Sequence, residues 1–167
     1  DAAQSVISHL VEKGYQRIAL INHDLSYKYA RLRERGYKAA LHALSLEYQA
    51  VEYASELSSS AGIAAMKTFL AAEVKPDAVF AVSDTLAAGA MRAIFDAGLQ
   101  IPQDIAVVGF DGTELAEMVS PQLSTIQQPS RDIGRKAVGL LLNKIENPDA
   151  QTERVMMDWR YISRAST

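Results

Sequence analysis

Cysteine is absent from this chain of 167 residues, and several other features that direct a functional assignment are scarce. Without cysteine, a disulfide framework and any thiolate metal site are excluded. No run approaches the roughly 18 consecutive apolar residues that a membrane-spanning helix needs. The net charge of -3 lacks the basic excess of a self-sufficient DNA-binding module. The missing thiols suit a reducing compartment, and we expect a cytoplasmic protein.

The signatures of common catalytic sites are missing as well. The sequence has no G-x-S-x-G nucleophile elbow and no glycine-rich phosphate loop. His9, His23 and His42 are widely spaced and show no metal-ligand pattern. We therefore predict neither an enzyme nor a cofactor. The chain begins at Asp1 rather than Met and has no signal-like apolar segment, which indicates a fragment of a longer protein.

Strand-length apolar runs alternate with helical patterns four times in succession. Hydrophobic residues are 49% and charged residues 22% of the chain, as in a folded domain. The predicted strands are 17–22, 49–54, 78–82 and 105–110, and the predicted helices are 2–13, 26–44, 58–72 and 83–97. This order predicts an α/β fold, a doubly wound parallel sheet with helices on both faces. Beyond it, the sequence predicts an extended segment at 124–128, an apolar helix at 130–145 and a final strand at 154–162.

The second predicted helix carries both a core face and three arginines. Ser26 is expected to cap it. The apolar residues assigned to the core are Leu32, Tyr37, Ala40, Leu41 and Leu44. Because alternate helical positions diverge by ~200°, at most one or two of Arg31, Arg33 and Arg35 can face one ligand, and at least one should lie on a solvated face.

Polar residues follow the predicted strands at the edge where doubly wound sheets bind ligands. Ser83 follows the third strand, where it can cap a helix whose free N–H groups also suit a ligand. Asp111 follows the fourth strand and can accept two vicinal sugar hydroxyls or form a local turn. A rival reading places Asp24, Asp84 and Asp111 around magnesium, in an enzyme or phosphoacceptor. The residues alone leave these alternatives open.

The stretch from Ser83 to Asp111, SDTLAAGAMRAIFDAGLQIPQDIAVVGFD, resembles the LacI/GalR family of bacterial transcription regulators. The shared pattern is Asn or Ser followed by Asp, a helix with A-x-G-A-x-R-A, and then A-G-L-x-I-P-x-D-I-x-V-V-G-F-D. The resemblance continues through PQLSTIQQP at 121–129 to the RAST ending, and it includes HLVEKGYQRIAL upstream. It therefore covers essentially the whole chain.

The resemblance implies the C-terminal lobe of a periplasmic-binding-protein-like effector domain. Residues 1–126 would form this lobe, 127–150 a crossover and a helix of the other lobe, and 151–167 the returning strand and tail. The implied function is ligand binding and dimerisation in a regulator, a repressor, that senses a sugar or nucleoside-like molecule. Operator DNA would be bound only through a missing N-terminal head. The alternative is a periplasmic sugar-binding protein of a transport system, which shares the fold.

The family's ligand-binding positions carry over to five residues of this sequence. Arg33 matches the arginine that binds effector hydroxyls, Ser83 the Asn or Ser that hydrogen-bonds the ligand, and Asp111 the carboxylate that reads ligand hydroxyls. Leu57 falls where several members place an aromatic stacking ring, and Ser130 falls at a further, variable ligand-facing position. The resemblance also implies a homodimer through Leu86, Met91, Leu115, Met118 and Val119.

Overall fold

The computed structural model describes residues 2–151 and 153–167. Its helices are α1 (Ala2–Glu12), α2 (Lys28–Ala43), α3 (Ser59–Ala71), α4 (Asp84–Asp96), α5 (Leu115–Met118) and α6 (Ser130–Glu146). Its strands are β1 (Ile18–His23), β2 (Ala50–Ala54), β3 (Ala78–Ala81), β4 (Ala106–Asp111), β5 (Ser124–Gln127) and β6 (Arg160–Ile162). They form one sheet in the order β2-β1-β3-β4-β5-β6. Strands β1 to β5 are parallel and β6 is antiparallel to β5, which confirms the predicted α/β fold.

The central strands lie in the core because helices cover both faces of the sheet. Every residue of β1 and β3 is buried, and β4 is buried except at its last residue, Asp111. Such strands read as continuous apolar runs rather than as alternating patterns. Helices α1 and α2 contact each other, and α3 contacts α4. The polar ends of β1, at Asn22 and His23, and of β4, at Asp111, therefore lie at the carboxyl edge of a layer that is otherwise apolar in these strands.

Helices α3 and α4 approach each other closely at two glycines. A methyl group at Gly62 would overlap the carbonyl oxygen of Leu86, and one at Gly89 would overlap that of Ser59. Close backbone approach is a common reason for glycine inside a helix, where it otherwise costs stability. The contact fixes α4 against α3, and with it the start of α4 beside the end of β3.

The RAST ending closes the opposite end of the sheet. The Ser166 hydroxyl donates to the carbonyl oxygen of Val107 at 2.6 Å and accepts from the backbone N–H of Ser124 at 2.8 Å. The backbone carbonyl of Ser166 accepts from the N–H of Val107, and the backbone N–H of Ser166 donates to the carbonyl oxygen of Gln122. Ser166 therefore bridges β4 and β5, which explains why a tail serine is completely buried.

Two details of the predicted α2 are wrong. The helix begins at Lys28 with Tyr27 as N-cap and no side-chain capping bond, because the Asp24 carboxylate takes the N–H of Ser26 at 2.7 Å in a preceding turn. Leu32 and Leu44 are 38% and 39% exposed. The core face runs instead through Tyr37, Ala40 and Leu41, as predicted, and through Ala30, Glu34 and Gly36.

The predicted final strand is too long. Only Arg160–Ile162 pairs, opposite residues 125–127 of β5. Beyond Gln127 the chain leaves the sheet for α6, so the described residues 153–159 have no neighbouring strand. Backbone groups form a strand only where a second strand supplies their hydrogen-bonding partners.

Candidate ligand-binding site at the carboxyl edge of the sheet

The carboxyl ends of four parallel strands meet at one edge of the sheet. β1 ends at His23, Ser83 follows β3, and Asp111 ends β4 opposite Gln127 of β5. A concavity of about 880 Å³ lies at this edge beside Asp111 and Ser130. Its lining residues are Asp111, Gly112, Thr113, Glu114, Gln127, Gln128, Pro129, Ser130, Arg131, Asp132, Met157, Asp158 and Arg160.

Asp111 is held at this edge in a strained backbone conformation. Its φ of 114° lies in the region that favours glycine. The neighbouring chain maintains it: Gln128 donates its side-chain amide to Asp111 Oδ1 at 2.8 Å and its backbone N–H to the Asp111 carbonyl at 3.2 Å. Burial raises the pKa of the carboxyl, an effect that the charge of Arg33 opposes. Such strain at a cleft is typical of functional residues.

Arg33 reaches across from α2 to the same point. Its Nη1 donates to the carbonyl oxygen of Val82 at 2.6 Å, and its Nη2 lies 3.4 Å from Asp111 Oδ1. The guanidinium carbon lies 3.7 Å from the ring centroid of Phe110 and 5.0 Å from that of Tyr29. Burial lowers the Arg33 pKa, and the nearby Asp111 carboxylate counteracts this. Desolvation and aromatic contact thus hold the guanidinium in one place.

The Arg33–Asp111 pair leaves hydrogen-bonding capacity for a ligand. The partners recorded for the carboxylate, Gln128 and Arg33, both use Oδ1. Among the described residues no hydrogen bond reaches Oδ2. An ionised carboxylate oxygen accepts from hydroxyls, whereas the guanidinium donates. The pair can therefore engage vicinal hydroxyls, one as donor and one as acceptor.

Ser83 caps α4, as predicted from its position before a helix. Its hydroxyl accepts from the backbone N–H of Leu86 at 3.2 Å, and the residue is only 3% exposed. The next residue, Asp84, is 1% exposed. Its Oδ2 accepts from the Thr113 backbone N–H at 2.7 Å and hydroxyl at 2.9 Å, and its Oδ1 accepts from the Thr125 hydroxyl at 2.6 Å. Asp84 therefore ties α4 to β5 and to the loop after Asp111.

The structure brings some of the sequence-predicted site residues together and separates others. Arg33 and Asp111 are paired, and Ser130 lines the same concavity as Asp111. Leu57 lies on the loop after the edge strand β2, is 43% exposed and is outside the lining of this concavity. Arg31 and Arg35 are exposed, so only Arg33 of the three arginines turns inward, as the helical geometry predicts.

Sequence reasoning missed Gln128 and did not assign Tyr29 to the site. Gln128 follows the strand that pairs with the end of β4, so the order of the strands would have indicated it. Tyr29 lies four residues before Arg33 on α2, a spacing that places two side chains on one helix face. Both signals depend on element boundaries that the sequence marks only weakly.

The magnesium reading finds no support in the part of the chain that the structure describes. There, no group of three or more His, Asp or Glu side chains is placed to hold a metal ion. Asp24 bonds to Ser26, Asp84 to two threonines, and Asp111 to Gln128 and Arg33. Separately, no described helix is long and apolar enough to cross a membrane.

The residues expected at a dimer interface differ in accessibility. Leu86 and Met91 are 0% and 2% exposed because α4 packs them into its own domain, so neither side chain presents surface to a partner within this structure. Leu115 and Val119 are half-buried, and Met118 is 80% exposed. The stretch from 115 to 119 is therefore the part of the predicted interface that presents apolar surface.

Comparisons with known proteins agree with this architecture. A family model described as a periplasmic binding protein-like domain matches residues 7–167. The ribose operon repressor of Escherichia coli K12 is 37% identical over 159 residues, which are 95% of this chain and 48% of the repressor. The chain thus spans about half the length of this curated relative.

Two solved structures extend the comparison. A LacI family transcriptional regulator from Enterococcus faecium with bound ribose superposes with a TM-score of 0.89 and 28% identity, covering 99% of this chain and 62% of that one. A Lac repressor dimer bound to operator and an anti-inducer superposes with a TM-score of 0.92 and 32% identity, covering 100% of this chain and 58% of that one. Both are similar over the whole of the present fold.

Proposed function

Since the chain belongs to the family of periplasmic binding protein-like domains and its relatives are LacI-type repressors, we propose that it is the effector-binding and dimerisation region of such a regulator. It senses a sugar or a related polyhydroxylated molecule, and it acts in the cytoplasm on operator DNA through a separate DNA-binding head. The ligand shifts the equilibrium between two arrangements of the lobes by the ratio of its affinities for them.

The observation that carries the proposal is the Arg33–Asp111 pair. A largely buried cation and a strained carboxylate meet at the carboxyl edge of a parallel sheet, beside a large concavity. Neither residue belongs to the apolar core cluster, and strain of this kind requires surrounding support. A ligand with vicinal hydroxyls matches one donor and one acceptor. A wrong ligand leaves buried polar groups unpaired, at about 1–3 kcal/mol for each group.

The uncovered face of α6 supports the assignment of this helix to a second lobe. None of its residues is buried within the described chain. Exposed apolar side chains of this helix are Ile133, Val138, Leu141, Leu142 and Ile145. An apolar patch of this kind usually marks an interface. In this proposal, residues 1–126 form the present lobe and residues 127–150 form the crossover and a helix of the other lobe. Residues 151–167 form the final strand and tail, which return to the present lobe.

A regulator fits better than a periplasmic transport protein or an enzyme. The relative and the solved neighbours named above are repressors and regulators, with ribose bound in one structure and operator DNA in another. The proposed ligand role of Ser83 requires a shift of its surroundings, because the residue is nearly buried. Ser130 borders the concavity directly. For the dimer, we propose the surface of Leu115, Met118 and Val119.

Direct titration of the regulator that contains this chain tests the proposal. We expect D-ribose or D-glucose to give a saturable heat of binding in calorimetry and to raise the unfolding temperature, because a ligand that binds only the folded state stabilises it. Magnesium chloride at the same concentration should do neither. Binding of magnesium in place of any sugar would refute the proposal.

A further inference from the structure

Three aromatic rings form a stacked group at the end of β1 and the start of α2. His23 and Tyr27 have ring centroids 4.8 Å apart with planes 25° from parallel, and His23 and Tyr29 are 6.1 Å apart and 9° from parallel. A hydrogen bond of 2.6 Å joins His23 Nδ1 to the Tyr29 hydroxyl. The two contacts hold both tyrosines against one imidazole.

This aromatic group is continuous with the Arg33–Asp111 pair. The Arg33 guanidinium lies 5.0 Å from the Tyr29 ring centroid, and the same guanidinium approaches Asp111. Burial raises the pKa of the Tyr29 hydroxyl, and Asp111 is among the charges that add to this rise. Tyr29 is therefore within electrostatic reach of the carboxylate, and the rings adjoin the polar groups that bind hydroxyls.

The Tyr27 ring contacts His23 and Tyr29, yet about half of the residue stays exposed. It is the N-cap residue of α2, but its side chain makes no capping hydrogen bond. Its side chain is 50% exposed, whereas its neighbour His23 is 7% exposed. Tyr37 gives the contrast within the same chain, since its ring is fully buried and its hydroxyl donates to the carbonyl of Ile18 at 2.7 Å.

Resting on the proposed function, we propose that the effector is a cyclic sugar whose apolar C–H face lies against Tyr27 while its hydroxyls reach Arg33 and Asp111. An aromatic ring offers a broad apolar surface with low conformational-entropy cost. A closed sugar ring presents a rigid C–H face to it, and an open-chain polyol does not. The stacking surface thus comes from the beginning of α2, and Leu57 is not needed for it.

Calorimetry on the whole regulator separates these contacts. The probes are D-ribose with ribitol, D-glucose with glucitol, and adenosine. We expect Tyr27→Leu to weaken binding of the sugar about tenfold, the size of a good aromatic contact, and to change binding of its alditol less than twofold. Tyr27→Phe keeps the ring and should stay within twofold of the unmodified protein. Phe95→Leu, at a 43% exposed ring in the last turn of α4, is the matched control and should change nothing.

Each contrary result has a distinct meaning. If Tyr27→Leu weakens binding of the sugar and of its alditol equally, or weakens neither, the proposed stacking contact is wrong. A loss of sugar affinity on Asp111→Asn would then still support the proposed function. If Leu57→Ala causes the tenfold loss instead, the aromatic group is not the contact surface. Loss of adenosine binding alone would assign Tyr27 to a nucleobase. If neither sugar binds the unmodified protein, the proposed function fails and this inference with it.

Discussion

Replacing Asp111 by asparagine is expected to weaken sugar binding by about 100-fold or more. The substitution removes the carboxylate that forms an ion pair with Arg33, and charge-assisted hydrogen bonds are roughly twice as strong as neutral ones. It also leaves a partly buried guanidinium without its counter-charge. A loss near 2.7 kcal/mol corresponds to 100-fold in affinity. Asp96→Asn, an exposed carboxylate in the last turn of α4, is the control and should leave affinity unchanged.

Asp111→Gly and Asp111→Ala separate binding from backbone strain. Both remove the carboxylate, so both should lose sugar affinity. Glycine adopts a φ of 114° without strain, whereas alanine does not. We therefore expect the glycine variant to be more stable than the alanine variant by about 1 kcal/mol in denaturant unfolding. Equal stability of the two would show that the conformation of Asp111 stores no strain. Unchanged sugar affinity, within twofold, would remove Asp111 from the site.

The second large effect is expected on stability, at Asp84. Asp84→Ala leaves the Thr113 N–H and the Thr125 hydroxyl without the partner they have now, and it removes a carboxylate from the positive end of α4. An unsatisfied buried donor, here the Thr125 hydroxyl, costs about 1–3 kcal/mol, and the N–H of Thr113, an exposed residue, adds less. We expect a loss of about 3 kcal/mol, which lowers the unfolding temperature of a chain of this size by about 6–12 °C.

Two further variants calibrate the Asp84 result. Asp84→Asn keeps the shape and one acceptor oxygen, so its loss should be about half as large. Asp96→Ala removes an exposed partner of Arg92 on the same helix, and exposed pairs contribute less than about 1 kcal/mol. Equal, small losses for Asp84→Ala and Asp96→Ala would mean that the buried hydrogen bonds of Asp84 do not hold α4 to β5.

The sequence predicts the layers of this fold well because each layer has a simple pattern. The apolar runs of β1, β3 and β4 are the parallel core. The pattern of α2 misleads at Leu32 because a charged residue takes the core face in its place. Glu34 is 6% exposed, and its carboxylate accepts from Asn22 at 2.9 Å and from Tyr53 at 3.1 Å. Partners from other strands make this burial possible, and hydropathy cannot show them.

The candidate site likewise has residues that the sequence indicated and residues that it could not place. The sequence indicated Asp111 because a strand end and a family motif mark it, and Arg33 because it matches a family position. Leu86 and Met91 were harder to place from sequence, since an apolar residue on α4 can face either its own core or a partner. Only the close approach of α3 and α4 decides between the two. The aromatic group around His23 depends on side-chain placement, which no sequence pattern specifies.

The most direct test of the regulator assignment is the linkage between sugar and operator. Operator affinity of the complete protein is measured on a DNA fragment that it selects, with and without saturating D-ribose or D-glucose. We expect the sugar that binds to change operator affinity by about 5–150-fold, and operator to change sugar affinity by the same factor. Asp111→Asn should abolish the sugar's effect and leave operator binding intact. A sugar that binds tightly through Arg33 and Asp111 but leaves operator affinity unchanged would contradict a regulatory function for this domain.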